Sequence, residues 1–145
     1  MVRILTLLVL DTCAVLDLSV DRIRDPRALG SLHEALSARA VYVPSIVAME
    51  IAQKVWAGRL TLTAFQQHRQ PAAWFSAVLR WLDARELPVT SASATAAYAL
   101  PEPFHRDPAD RLIVATARGL GAPILTCDRR ILAYAAAGHV AAIGY

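Results

Sequence analysis

The sequence predicts an α/β fold, a parallel sheet with helices on both faces, and three observations lead there. Short runs of strand character, at residues 4–10, 40–43, 86–90, 123–126 and 140–143, alternate with longer segments of helical periodicity. Two of the runs end directly on an acidic helix start, Asp11-Thr12 and Cys127-Asp128. The chain of 145 residues is 56% apolar and 19% charged, which suits one domain with a real core and not a disordered chain. Strands alternating with helices imply parallel pairing, because each crossover helix returns across a sheet face.

Residues 4–10 form the most apolar opening run, as expected of a central strand buried on both faces. The run is far too short to span a bilayer, and no small-residue cleavage site follows it. No membrane partner and a cytoplasmic location are the resulting expectations. Asp11 then caps a short helix through residue 16. Residues 20–27 are polar and turn-like, with Arg22, Arg24 and Arg27 clustered, and Pro26 opens a helix to about residue 39. After the second strand at 40–43, Pro44-Ser45 starts a helix to residue 57 that Gly58 stops. Its stripe of Ala48, Ile51, Ala52 and Val55 points inward, and Glu50 lies off it, four residues before Lys54.

Two aromatic-rich helices are expected at 60–68 and 71–84, carrying Phe65, Trp74, Phe75 and Trp81 as core residues. If several of these are exposed together with Trp56 and Leu60, they mark a protein-docking groove instead. A third strand at 86–90 leads to a helix at 91–100 capped by Ser91 or Ser93. Pro101-Glu102-Pro103 breaks the chain before the helix that organises it. There Asp107 caps, Pro108 takes the first position, and Asp110 falls in the first turn. The helical wheel buries Ala109, Leu112, Ile113, Thr116 and Leu120, turns Asp107, Arg111, Val114 and Arg118 outward, and leaves Asp110 on the border. The fourth strand, 123–126, ends at Asp128, the cap of a helix at 129–137, and a last strand follows at 140–143.

In a parallel sheet the residue after each strand and the start of each following helix gather at one edge. Asp11, Asp110 and Asp128 all have that address, and Glu50 sits one turn deeper. Four carboxylates crowded there need protons or bound cations to coexist. Oxygen-only donors of high charge suit Mg²⁺ or Mn²⁺ rather than zinc, and the histidines add no zinc site: His105, near Asp107, reads as a loop residue. Such ions at a sheet edge carry out phosphodiester hydrolysis. Thr12 and Thr126 could orient a carboxylate or a bound water, or simply bond local backbone. Arg22, Arg24, Arg27, Arg129 and Arg130 are candidate phosphate contacts, and a net charge of +3 is compatible with an anionic partner. Lys54 is the sole lysine, and Cys13 and Cys127 are too few for a secreted disulfide framework.

These residues together resemble a known family. Leu10-Asp11-Thr12, Glu50-Ile51-Ala52-Gln53-Lys54 with Gly58-Arg59-Leu60, Arg106-Asp107-Pro108-Ala109-Asp110-Arg111-Leu112-Ile113-Val114-Ala115-Thr116-Ala117, and Leu125-Thr126-Cys127-Asp128 are similar to PIN-domain ribonucleases. The likeness is greatest to the VapC toxins of toxin–antitoxin pairs. The resemblance implies a three-layer sandwich around five parallel strands in the order 3-2-1-4-5. It also implies a Mg²⁺- or Mn²⁺-dependent endoribonuclease acting on RNA, a cognate antitoxin that blocks the acidic pocket, and a homodimer. Carried over by position, Asp11, Glu50, Asp110 and Asp128 match the family's acidic quartet, and Asp107 matches a less central aspartate, kept here as a cap.

Three other readings stand beside a toxin. One is a PIN-domain nuclease of RNA processing. Another is a phosphatase of the haloacid-dehalogenase kind, which would want a second aspartate where Cys13 stands. The last is a non-catalytic module whose acidic pocket receives an arginine from a partner.

Overall fold

The computed structural model describes residues 6–145. β1 is Leu8–Leu10, with all three side chains buried. The expected strand began at residue 4; Ile4 and Leu5 lie outside the described residues, and Thr6 and Leu7 precede the strand. α1 (Thr12–Ser19) starts at Asp11, whose carboxylate accepts the Ala14 N–H at 2.9 Å. α2 (Pro26–Ser37) is capped by Asp25 with Pro26 at its first position, where a missing N–H costs nothing. β2 (Val41–Pro44) leads to α3 (Ile46–Trp56), and Gly58 beyond it adopts φ +70°, a conformation that favours glycine.

α4 (Pro71–Leu82), β3 (Arg85–Leu87), α5 (Ser91–Tyr98), α6 (Pro108–Leu120), β4 (Ile124–Thr126), α7 (Arg129–Ala136) and β5 (Ala142–Gly144) complete the order. The five strands are parallel and lie in the order β3-β2-β1-β4-β5, as the resemblance implied. β1 is the centre: Val9 pairs with Tyr42 of β2 on one side and Ile124 of β4 on the other. The chain leaves β1 towards β2 and later returns to its opposite flank as β4, so the strand order switches between β1 and β4. A crevice opens at the carboxyl ends of strands at such a point. Val9, Leu10, Val41, Val43, Ile124 and Leu125 are fully buried, so this centre is rigid.

Several expectations are corrected. No helix forms at 60–68; the segment is a series of turns, and Phe65 sits at φ +52°, outside the helical region. Packing outweighs its helical periodicity: Leu62 is buried, and the Trp74 indole donates to the Ala64 carbonyl at 3.1 Å, pinning the segment as an irregular strap. Trp74 and Phe75 are core, whereas Trp81 is 53% and Trp56 88% exposed. In α3 only Ile51 of the expected inward stripe is fully buried; Ile46 and Val47 do the rest, because the helix leans its first turn on the sheet.

α5 is capped by Thr90, not by Ser91 or Ser93. Thr90 Oγ1 accepts the Ser93 N–H at 3.1 Å and Ser93 Oγ accepts the Thr90 N–H at 2.9 Å, a reciprocal capping box shifted by one residue. The largest correction concerns α6. Arg111 and Val114, expected to face outward, are buried, and Leu112 and Thr116 are only half-buried. α6 is covered on two sides, by the rest of the core and by α5, so a single-stripe wheel misassigns it.

Candidate metal centre at the sheet edge

Asp11, Glu50, Asp110 and Asp128, four acids from four separate segments, line one cavity of about 450 Å³ where β1 and β4 end. Asp107 lines it too, with Thr12, Cys13, Lys54 and Arg59. A hollow of similar size, about 480 Å³ between α6 and the β5 approach, is lined without a carboxylate and offers no comparable chemistry.

Each acid reaches the cavity for a local reason. Asp11 ends β1 and caps α1 with Oδ1, while its Oδ2 accepts the hydroxyl of Thr126 from the neighbouring strand. Asp128 caps α7, accepting the N–H groups of Arg130 at 2.8 Å and Ile131 at 3.2 Å. Its own N–H donates to Thr126 Oγ1 at 2.9 Å, so one hydroxyl joins both strand ends. Asp107 caps α6 through Oδ1, taking the Ala109 and Asp110 N–H groups at 2.9 and 3.2 Å. Glu50 comes from the second turn of α3 and is held by Thr12 Oγ1 at 2.5 Å. Lys54, four residues on along α3, makes no ion pair with it among the described residues.

The tightest grouping is a trio that shares Glu50 and Asp110 with the expected quartet and takes its third member, Asp107, from outside it. Glu50, Asp107 and Asp110 each offer an oxygen within 4.8 Å of the others. Asp107 thus stands beside Glu50 and Asp110 as well as capping α6, while Asp11 and Asp128 line the same cavity.

Electrostatics mark the cavity as strained without a counter-charge. Burial pushes the Asp110 carboxyl up to about 7, and the negative charges of Asp128, Glu50, Asp107 and Asp11 push the same way. Burial raises Asp11 to about 6, against the lowering effect of its Thr126 and Ala14 hydrogen bonds. Glu50 is raised as well, by burial first, although Thr12 stabilises its charged form. Acids that resist ionisation next to one another are what a bound dication relieves. The donor set is oxygen-only and hard, the trio is close enough to share one ion, and the residues fit Mg²⁺ or Mn²⁺.

Other candidates divide. Arg130 lines the cavity, and Arg22 lines an adjoining hollow of about 300 Å³ beside Cys13 and Leu16. Arg24 is spent on an exposed pair with Asp21 at 3.0 Å, and Arg27 and Arg129 are exposed surface residues. Arg59 and Lys54 are the cations missed from sequence; the Gly58 stop that turns the chain back over the cavity was their signal. Cys13 was also missed: its thiol donates to Asp11 Oδ1 at 3.0 Å, and burial together with Asp11 raises its pKa, keeping it protonated.

Comparison with solved structures shows the same fold elsewhere. VapBC2 from Rickettsia felis, bound to a DNA fragment from their promoter, matches with a TM-score of 0.66 at 12% identity, covering 95% of this chain and 98% of that one. FitAcB from Neisseria gonorrhoeae matches with a TM-score of 0.62 at 20% identity, covering 95% and 97%. FitAB bound to an IR36 DNA fragment matches at 0.57 and 21% identity, covering 95% and 94%. No curated protein matches the chain by sequence. No described helix is long and apolar enough to cross a membrane. Residues 8–137, from the first residue of β1 to the residue that caps the end of α7, match the PIN domain, and the chain belongs to that family.

Proposed function

We propose that the chain is a Mg²⁺- or Mn²⁺-dependent endoribonuclease and the toxin of a type II toxin–antitoxin pair. The observation that carries this reading is the convergence of Asp11, Glu50, Asp110 and Asp128 on one cavity at the switch between β1 and β4. Membership of the PIN domain family and likeness in fold to VapBC2 and FitAB support it.

Glu50, Asp107 and Asp110 would hold the ion, with Asp11 and Asp128 completing the acidic wall. A dication held there would supply charge neutralisation at a scissile phosphate and activation of the attacking water. The chain's own residues do the rest. Thr12 and Thr126 fix the directions of Glu50 and Asp11, so the acids need not reorganise during the reaction. Lys54, Arg59 and Arg130 bring positive charge to the rim of an otherwise negative cavity, where a polyanionic RNA strand must approach. Arg22 beside it extends that path, and Arg24, Arg27 and Arg129 contribute only long-range charge.

The same acids also receive an antitoxin: an arginine forks onto paired carboxylates and would displace the ion. The chain works as a homodimer with its cognate antitoxin. The test is RNA cleavage by the purified protein. Parent protein cuts RNA with Mn²⁺, stops on adding chelator, and is inactive as Asp110→Asn with an unchanged circular dichroism spectrum. Equal cutting by that variant removes Asp110 from the site.

A further inference from the structure

Resting on the reading of the acidic cavity as a cation site, we propose that His105 is the positioning residue for Asp110, presented to it by the buried guanidinium of Arg111. Among the acids of the cavity, Asp110 alone accepts no N–H or O–H hydrogen bond among the described residues. Asp11 has Ala14 and Thr126, Glu50 has Thr12, Asp107 has two backbone N–H groups of α6, and Asp128 has two of α7. The nearest group able to fix the Asp110 carboxylate is the His105 ring, with Nε2 3.0 Å from Oδ2.

The tautomer follows from what surrounds the ring. Nδ1 faces two donors, the Asp107 backbone N–H at 3.4 Å and the Arg130 guanidinium at 3.2 Å. A ring nitrogen between donors is the bare one, so the proton sits on Nε2, towards Asp110. Nε2 is closed off from solvent and makes no other hydrogen bond, so the Asp110 oxygen at 3.0 Å is the acceptor within its reach. It is a donor held beside the acid, and apo geometry of this kind tightens when a site is filled.

The ring cannot drift. Phe104 packs on it with centroids 4.5 Å apart and itself packs on Tyr134 at 4.4 Å. Arg111 grips the preceding loop with its whole fork: Nε donates to the Ala97 carbonyl at 2.9 Å, one terminal nitrogen to the Phe104 and His105 carbonyls at 3.0 Å, and the other to Glu102 at 2.9 Å. His105 is not part of the cavity lining, so it acts through Asp110 and not on a substrate. Hydrogen bonds that orient ligating carboxylates tune metal affinity strongly.

The experiment is a Mn²⁺ titration of the full chain, read as the electron paramagnetic resonance signal of free ion, with thermal unfolding in chelator as the control on folding. Parent is compared with His105→Leu, His105→Asn and His105→Gln. Glutamine places an amide N–H where Nε2 stands, and asparagine places it at Nδ1. His105→Leu and His105→Asn are expected to bind Mn²⁺ roughly 10–100-fold more weakly with little change in midpoint, and His105→Gln to recover most of the affinity. Parent-like affinity in His105→Leu, or equal affinity in the Gln and Asn variants, overturns the inference and leaves the cation site standing. If His105→Leu does not fold, the Gln and Asn pair decides. A parent that binds no Mn²⁺ overturns the cation-site reading, and this inference with it.

Discussion

Thr12 Oγ1 donates to Glu50 Oε1 at 2.5 Å, tying the first turn of α1 to the second turn of α3 across the mouth of the cavity. Without this bond Glu50 is free to swing towards Lys54, its partner by sequence spacing. Thr12→Val keeps the shape and removes the donor. It is expected to cost about 1 kcal/mol of stability in urea titration and to weaken Mn²⁺ binding about tenfold. Unchanged metal affinity would mean that α3 alone directs Glu50.

One substitution separates the capping of α6 by Asp107 from its proposed part in holding the cation. Asp107→Ser keeps a cap for α6 and removes a carboxylate, while Asp107→Ala removes both. Asp107→Ser is expected to lie within about 0.5 kcal/mol of the parent in stability, and Asp107→Ala to lose about 1 kcal/mol. Both should bind Mn²⁺ more weakly by calorimetry. Parent-like binding by Asp107→Ser would return Asp107 to capping alone.

Stability in chelator should fall as pH rises from about 4 to about 7. Asp110 is raised to about 7 and Asp11 to about 6 by burial, so the folded state holds protons that the unfolded chain has already released. The stabilisation is complete below the unfolded carboxyl pKa and is lost through the folded ones. Adding Mn²⁺ at pH 7.5 should restore the melting temperature. A profile that rises over this window would show that the acids are not crowded as described.

The same crowding sets function against stability. Asp110→Asn removes one buried charge from among Asp128, Glu50, Asp107 and Asp11. At pH 8 in chelator it is expected to stabilise the fold by on the order of 1 kcal/mol or more while abolishing cleavage. Differential scanning calorimetry beside the RNA assay checks both halves.

Arg111 is the opposite case, a charge whose removal should damage the fold. Arg111→Met leaves the Ala97, Phe104 and His105 carbonyls and Glu102 without their donor. The expected loss is at least about 2 kcal/mol by urea denaturation. A loss under half of that would place the loop's support in the aromatic packing of Phe104 on Tyr134.

The parts of this architecture written in local chemistry were legible in advance. Asp11, Asp107 and Asp128 are caps because a carboxylate before a helical run has unpaired N–H groups to satisfy, and the parallel sheet then carries them to one edge. Arg111 was illegible because its acceptors lie on α5 and on the loop that joins α5 to α6, and a helical wheel of α6 leaves both out. The strap at 60–70 was misread for a related reason: its shape answers to Trp74, not to its own periodicity. His105 passed as a loop residue since its meaning depends on Asp110 and Arg130, five and twenty-five positions away.

Anomalous diffraction from crystals soaked in Mn²⁺ tests the central claim most directly. The account predicts a manganese peak bounded by oxygens of Glu50, Asp107 and Asp110, lost in Asp110→Asn crystals grown alike. A featureless cavity in the soaked parent, with those carboxylates turned apart, would contradict it.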